Sequence, residues 1–166
     1  MAKRAQSLFG MPFSVIFSIF LIAIFLVVAF FAIKYFLNIG KCSETGMFID
    51  DFKSQIDEAI KSESLIVADP PFTRTLSSNI EYVCFADLQE SATGTAKEKQ
   101  IYAELKKNAD YTANLFFYPR KNACIPSTNV EYVNFTTNPY CFEVKDGKVQ
   151  IKIEKGFLDS SVRVSR

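Results

Sequence analysis

Four cysteines, Cys42, Cys84, Cys124 and Cys141, carry the covalent chemistry most open to this sequence. An even count in a modest domain beyond a membrane reads as two disulfides. Four cysteines allow three pairings. The expected one joins Cys124 to Cys141, close in sequence, and Cys42 to Cys84, tying a helix base to a strand. Loops of these lengths contribute roughly 3–4 kcal/mol each in the chain-entropy model. Four buried free thiols are the competing reading, for a reducing compartment. A Cys₄ zinc site is disfavoured because no two cysteines sit at C-x₂₋₄-C spacing, and no CxxC redox motif exists.

Other reactive groups are sparse. Histidine is absent, which removes the commonest general base and metal ligand. No nucleophile elbow, phosphate loop, dinucleotide fingerprint or metalloprotease motif is present. Asp50-Asp51 with Asp57-Glu58 offers carboxylates, but on a helix such a set is a solvated face. Glu81 and Glu131 come from two similar segments and could meet across a sheet as an acid–base pair. No catalytic, cofactor or metal site is expected. Asn134-Phe135-Thr136 is an N-x-T glycosylation sequon with Asn134 as acceptor; Asn138-Pro139 cannot serve.

The element that must position all of this is the run from Met11 to Ile33, which carries no charge. At a helical rise of ~1.5 Å per residue it covers about 34 Å, enough for a hydrocarbon core of ~30 Å. It has no polar face, and in lipid a lone apolar segment must be helical. The reading is a cytoplasmic stub at 1–10, a transmembrane helix at 11–37 and an extracytoplasmic domain at 41–166. Lys3 and Arg4 favour an internal N-terminus, though Lys34 and Lys41 nearly balance them; the cysteines and sequon favour an external domain. A cleavable secretory signal competes, but its apolar region would be shorter. Beyond the helix, 16 basic residues face 18 acidic ones, so nucleic-acid binding is disfavoured.

Lys3-Arg4-Ala5-Gln6, directly before this long apolar helix, resembles the processing site of archaeal type IV pilin precursors. Those carry a basic residue, then Gly or Ala, then Gln. The resemblance implies cleavage by a prepilin peptidase between Ala5 and Gln6. It further implies a filament subunit whose helix packs against copies of itself or related subunits. It covers only the N-terminal stub and helix, and the early Pro12 and the richness in Phe depart from the pattern. Gly10, Ser14 and Ser18 recur on one face, where small residues permit close helix approach; alternatively each Ser bonds back to its own helix.

The domain reads as α+β: an amphipathic helix, then a mainly antiparallel β-sheet with disulfides. Cys42, Thr45, Ile49, Phe52, Ile56 and Ala59 form a stripe from Cys42 to about Glu63, with Met47, Phe48 and Ile60 beside it. Gly40 and Gly46 weaken the join to the spanning helix, though one long helix remains open. Asp69-Pro70-Pro71 ends this region. Asn79–Phe85 and Asn129–Phe135 read as two strands of the same pattern. Ala96–Ala109 reads as a helix and Leu115–Tyr118 as a buried strand. Tyr140–Val144, Asp146-Gly147 and Lys148–Ile153 read as a hairpin with a type I′ turn. Asp159–Arg166 reads as a loose tail, with an edge strand through Val162 and Val164 as the alternative.

Overall fold

The computed structural model describes residues 7–62, 66–67, 70–107, 110–157 and 159–166. Helix α1 spans Ser7–Lys61 and contains Pro12, Gly40 and Gly46. The chain divides into two units, Met1–Gly40 and Lys41–Arg166. In the first, every side chain from Ser14 to Leu37 is exposed. This is the one described helix long and apolar enough to cross a membrane.

The second unit is α+β. It contains the C-terminal part of α1, then β1 (Ile66–Val67), β2 (Phe72–Thr75), β3 (Tyr82–Phe85), α2 (Ala96–Lys107), β4 (Leu115–Tyr118), β5 (Ser127–Thr128), β6 (Val133–Asn134), β7 (Tyr140–Glu143), β8 (Lys148–Lys155) and β9 (Val162–Ser165). Two sheets form. One has the order β1-β8-β9-β6, with β2 also on β8; the other has the order β5-β4-β3-β7. Among the described residues all strand pairings are antiparallel except β6 with β9.

Side-chain alternation on β3 and β4 feeds two cores. Val83, Phe85, Leu115 and Phe117 join Phe48, Phe52 and Ile56 of α1 and Val149, Ile151 and Ile153 of β8. Cys84 and Phe116, on the other face, meet Ile101, Tyr102 and Leu105 of α2. The first core is aromatic at its centre: Phe52 lies 5.2 Å from Phe72 and 5.6 Å from Phe85, ring centre to ring centre. The stripe at Thr45, Ile49, Phe52, Ile56 and Ala59 is buried as its period requires, whereas Met47 faces out. Lys155 closes the helix: its buried ammonium donates to the carbonyls of Ile60 at 3.3 Å and Ser62 at 2.5 Å. A cation there satisfies terminal carbonyls and complements the helix dipole.

Three expectations about strands fail. Residues 129–135 are not one strand, because Tyr132 takes a left-handed φ of 62°. The Asn114 amide also claims both backbone groups of Val130, each at 2.8 Å, as a neighbouring strand would. The Asp146-Gly147 turn has the expected type I′ geometry, with φ of 51° and 68°. Its flanking strands nevertheless part into different sheets, joined only by the Lys145–Lys148 bridge, and β7 pairs with β3. The tail is neither loose nor an edge: β9 lies between β8 and β6, with Val162 and Val164 fully buried.

Candidate functional site

The disulfides are Cys42–Cys124 and Cys84–Cys141, which corrects the expected pairing of Cys124 with Cys141 and Cys42 with Cys84. Strand register, not spacing in sequence, decides it. Cys84 on β3 stands directly opposite Cys141 on β7, with Cα atoms 4.0 Å apart. Cys42 on α1 meets Cys124 in the loop after β4, with Cα atoms 4.9 Å apart. The first bond is buried in the α2 core, whereas Cys124 is exposed and Cys42 half-buried.

Around Cys141 the structure builds a polar cluster. β7 is the edge of its sheet, and the backbone of Cys141 points away from β3. Its N–H donates to Glu98 Oε1 at 3.1 Å. Its carbonyl accepts from Arg166 Nε at 3.1 Å and Nη2 at 2.8 Å. Arg166 also forms an ion pair with Glu98 and lies over the Tyr140 ring, 4.7 Å from its centre. A carboxylate and a guanidinium thus take the donor and acceptor that a further strand would take.

Glu98 is held by its own helix. Thr95 and Glu98 form a capping box at the start of α2: the Thr95 N–H donates to Glu98 Oε2 at 2.8 Å, and the Glu98 N–H donates to Thr95 Oγ1 at 3.3 Å. Burial pushes the Glu98 carboxyl upward. The hydrogen bonds from Thr95 and from the Cys141 N–H, with the charge of Arg166, outweigh it, so its pKa lies below the usual value of 4.5.

The loop before α2 is set by Asn138, 6 % exposed. Its Nδ2 donates to the Asp87 carbonyl at 2.7 Å, its Oδ1 accepts from the Asp87 N–H at 3.0 Å, and its backbone carbonyl accepts from Thr93 and Gly94. Gly94 has to be glycine. A Cβ there would lie 2.8 Å from the Pro139 carbonyl and 2.9 Å from Glu98 Oε2. A groove of about 820 Å³ runs beside β7, lined by Lys97, Glu143, Lys145, Lys148 and Arg166 among others.

Other residues singled out in the sequence stay apart. Glu81 precedes β3, while Glu131 precedes β6 in the other sheet; both are exposed, and the structure does not pair them. Asp51 binds Arg74 at 2.7 Å, and Asp50, Asp57 and Glu58 add only surface carboxylates along α1. Among the described residues no group of three or more His, Cys, Asp or Glu could hold a metal ion. Asn134 is exposed on β6, with Nδ2 donating to Ser161 Oγ at 2.6 Å. Lys3, Arg4, Ala5 and Gln6 lie outside the described residues. In the first unit Lys34 extends over the Phe30 ring at 5.0 Å, beside exposed Tyr35 and Phe36. An amphipathic cation and aromatic rings at the end of an apolar run suit a membrane interface.

The sequence reading misses Glu98, Arg166 and Asn138. The Thr95-x-x-Glu98 spacing before an apolar run was a legible signal for the first; no local pattern marks the other two. No protein-family profile matches the chain, and no curated protein or solved structure matches it either.

Proposed function

We propose that this chain is a structural, non-catalytic subunit of a surface filament or envelope assembly, similar to a type IV pilin. The observation that carries the reading is the α1 surface from Ser14 to Leu37, apolar apart from Ser14, Ser18 and Lys34 and exposed along its whole length. Such a surface needs lipid or neighbouring helices. The Lys3-Arg4-Ala5-Gln6 sequence supplies the processing signal that would move it from one to the other. Cleavage after Ala5 removes the two leading cations, which hold the stub on the cytoplasmic side. The helix is then freer to leave lipid and pack against copies of itself. The domain lies outside the membrane, where its disulfides persist.

The test is mass spectrometry of the N-terminus, on protein from native membranes and surface fibres. Gln6 as the first residue is the expected result. Met1 or Ala2 intact, in protein that stays in the membrane, overturns it. That outcome favours a membrane-anchored domain that binds a partner, for which the groove beside β7 is the natural seat.

A further inference from the structure

We infer that Cys42–Cys124 is a thiol–disulfide exchange site open in the native fold, while Cys84–Cys141 is purely structural. The inference does not rest on the filament reading. Three observations carry it.

Access differs between the two bonds. Cys84 and Cys141 are 0 % and 3 % exposed and lie among Ile101, Tyr102, Leu105 and Phe116. A thiolate must approach along the axis of the bond it breaks, so access controls the rate. At Cys84–Cys141 the side chains of Phe116, Ile101, Tyr102 and Leu105 pack around the bond, and attack requires the unit to open. Cys124 is exposed in the loop between β4 and β5.

The surroundings of the exposed bond hold without it. Asn122 Nδ2 donates to the Asn79 carbonyl at 2.7 Å. The Phe117 N–H donates to the Pro126 carbonyl at 3.0 Å, and Lys53 Nζ to Thr128 Oγ1 at 3.3 Å. Phe48, Phe52 and Ile56 of α1 are buried in the core through contacts that do not involve Cys42. Opening the bond therefore releases a tether and leaves the fold in place.

The attack also has a preferred direction. Cys124 is the more exposed residue of the pair, and its sulfur is assigned as the one attacked. The thiolate of a dithiol reductant bonds to Cys124 Sγ, the S–S bond breaks, and its electron pair leaves on Cys42 Sγ, which takes up a proton. The second thiol of the reductant then displaces Cys124. Two electrons pass from the dithiol to the protein, and the reductant leaves as its own disulfide. The partner that fits is a dithiol oxidoreductase acting on a folded substrate.

The experiment uses the full chain in detergent, without denaturant, treated with dithiothreitol at rising concentration and then with iodoacetamide. Peptide mapping follows each cysteine. Cys42 and Cys124 are expected to label more than about a hundredfold faster than Cys84 and Cys141, which wait for global opening. Equal rates, faster labelling of Cys84 and Cys141, or no native-state labelling overturns the inference. A Cys42→Ser variant leaves Cys124 free. It is expected to react with one equivalent of dithiobis-nitrobenzoate in the folded state, and failure to react also overturns the assignment.

Discussion

Arg166 and Glu98 close on each other across the backbone of Cys141, so that the C-terminal strand and helix α2 are tied together through the edge of a third element. Each of the two side chains does a different part of the work. Glu98 satisfies two N–H groups in a nearly dry position, while the half-exposed guanidinium supplies the charge and caps the carbonyl.

Removing Glu98 is expected to cost more than removing Arg166. Glu98→Ala leaves the Thr95 and Cys141 N–H groups without their acceptor, a loss of about 2–4 kcal/mol. Arg166→Ala removes a partly solvated pair, worth about 1 kcal/mol after screening. Urea unfolding of the two variants with disulfides intact measures the order, and a larger loss for Arg166→Ala would contradict it.

The same carboxylate makes stability depend on acidity. Its folded pKa lies below 4.5, so its contribution is fully present above the unfolded value. That contribution is lost as pH falls through the lower folded value. Urea midpoints taken from pH 6 down to pH 3 are expected to fall more steeply in the wild type than in Glu98→Gln, which has no charge to lose.

Gly94 offers a steric test. Gly94→Ala forces a Cβ against the Pro139 carbonyl and Glu98, at an expected cost of about 1–3 kcal/mol. Gly46→Ala, on α1 with nothing within 4 Å of the new atom, is expected to gain up to about 1 kcal/mol from helix propensity. Opposite shifts in melting temperature would bear out both.

At the sequon, the Asn134 side chain is exposed, and a glycosylated amide would keep one N–H for Ser161 Oγ. Protein from its native source is expected to carry added mass on the peptide holding Asn134. Asn138, followed by Pro139 and buried among Asp87 and Ser91, should carry none. Mapping after peptide-N-glycosidase treatment in heavy water reads each site separately.

What was legible in the sequence was whatever depends on local period and turn chemistry. The apolar run, the buried stripe from Thr45 to Ala59, the Leu115–Tyr118 strand and the positive φ angles at Asp146-Gly147 follow from residue type and spacing. Pairings between distant segments were not legible. Residues 140–153 carry a hairpin's turn, yet β7 finds its ladder on β3, some sixty residues earlier in the chain. Cysteine partners depend on that ladder, so the pairing was mistaken along with it. Asn129–Phe135 matches Asn79–Phe85 in pattern, but nothing local reveals that the Asn114 amide would take the place of a strand at Val130.

The Cys42–Cys124 bond also decides how the second unit bears tension. A pull applied to the chain ahead of Cys42 and resisted at the C-terminus passes across the sulfur bridge. The intervening residues, a sequence separation of 82, are out of the line of force. The buried stripe of α1 and strands β2, β3 and β4 all belong to that shielded length. Mechanical load then falls on the segments after residue 124, which reach the C-terminus through β8 and β9. Reduction would lengthen the loaded path and bring the buried stripe of α1 into it.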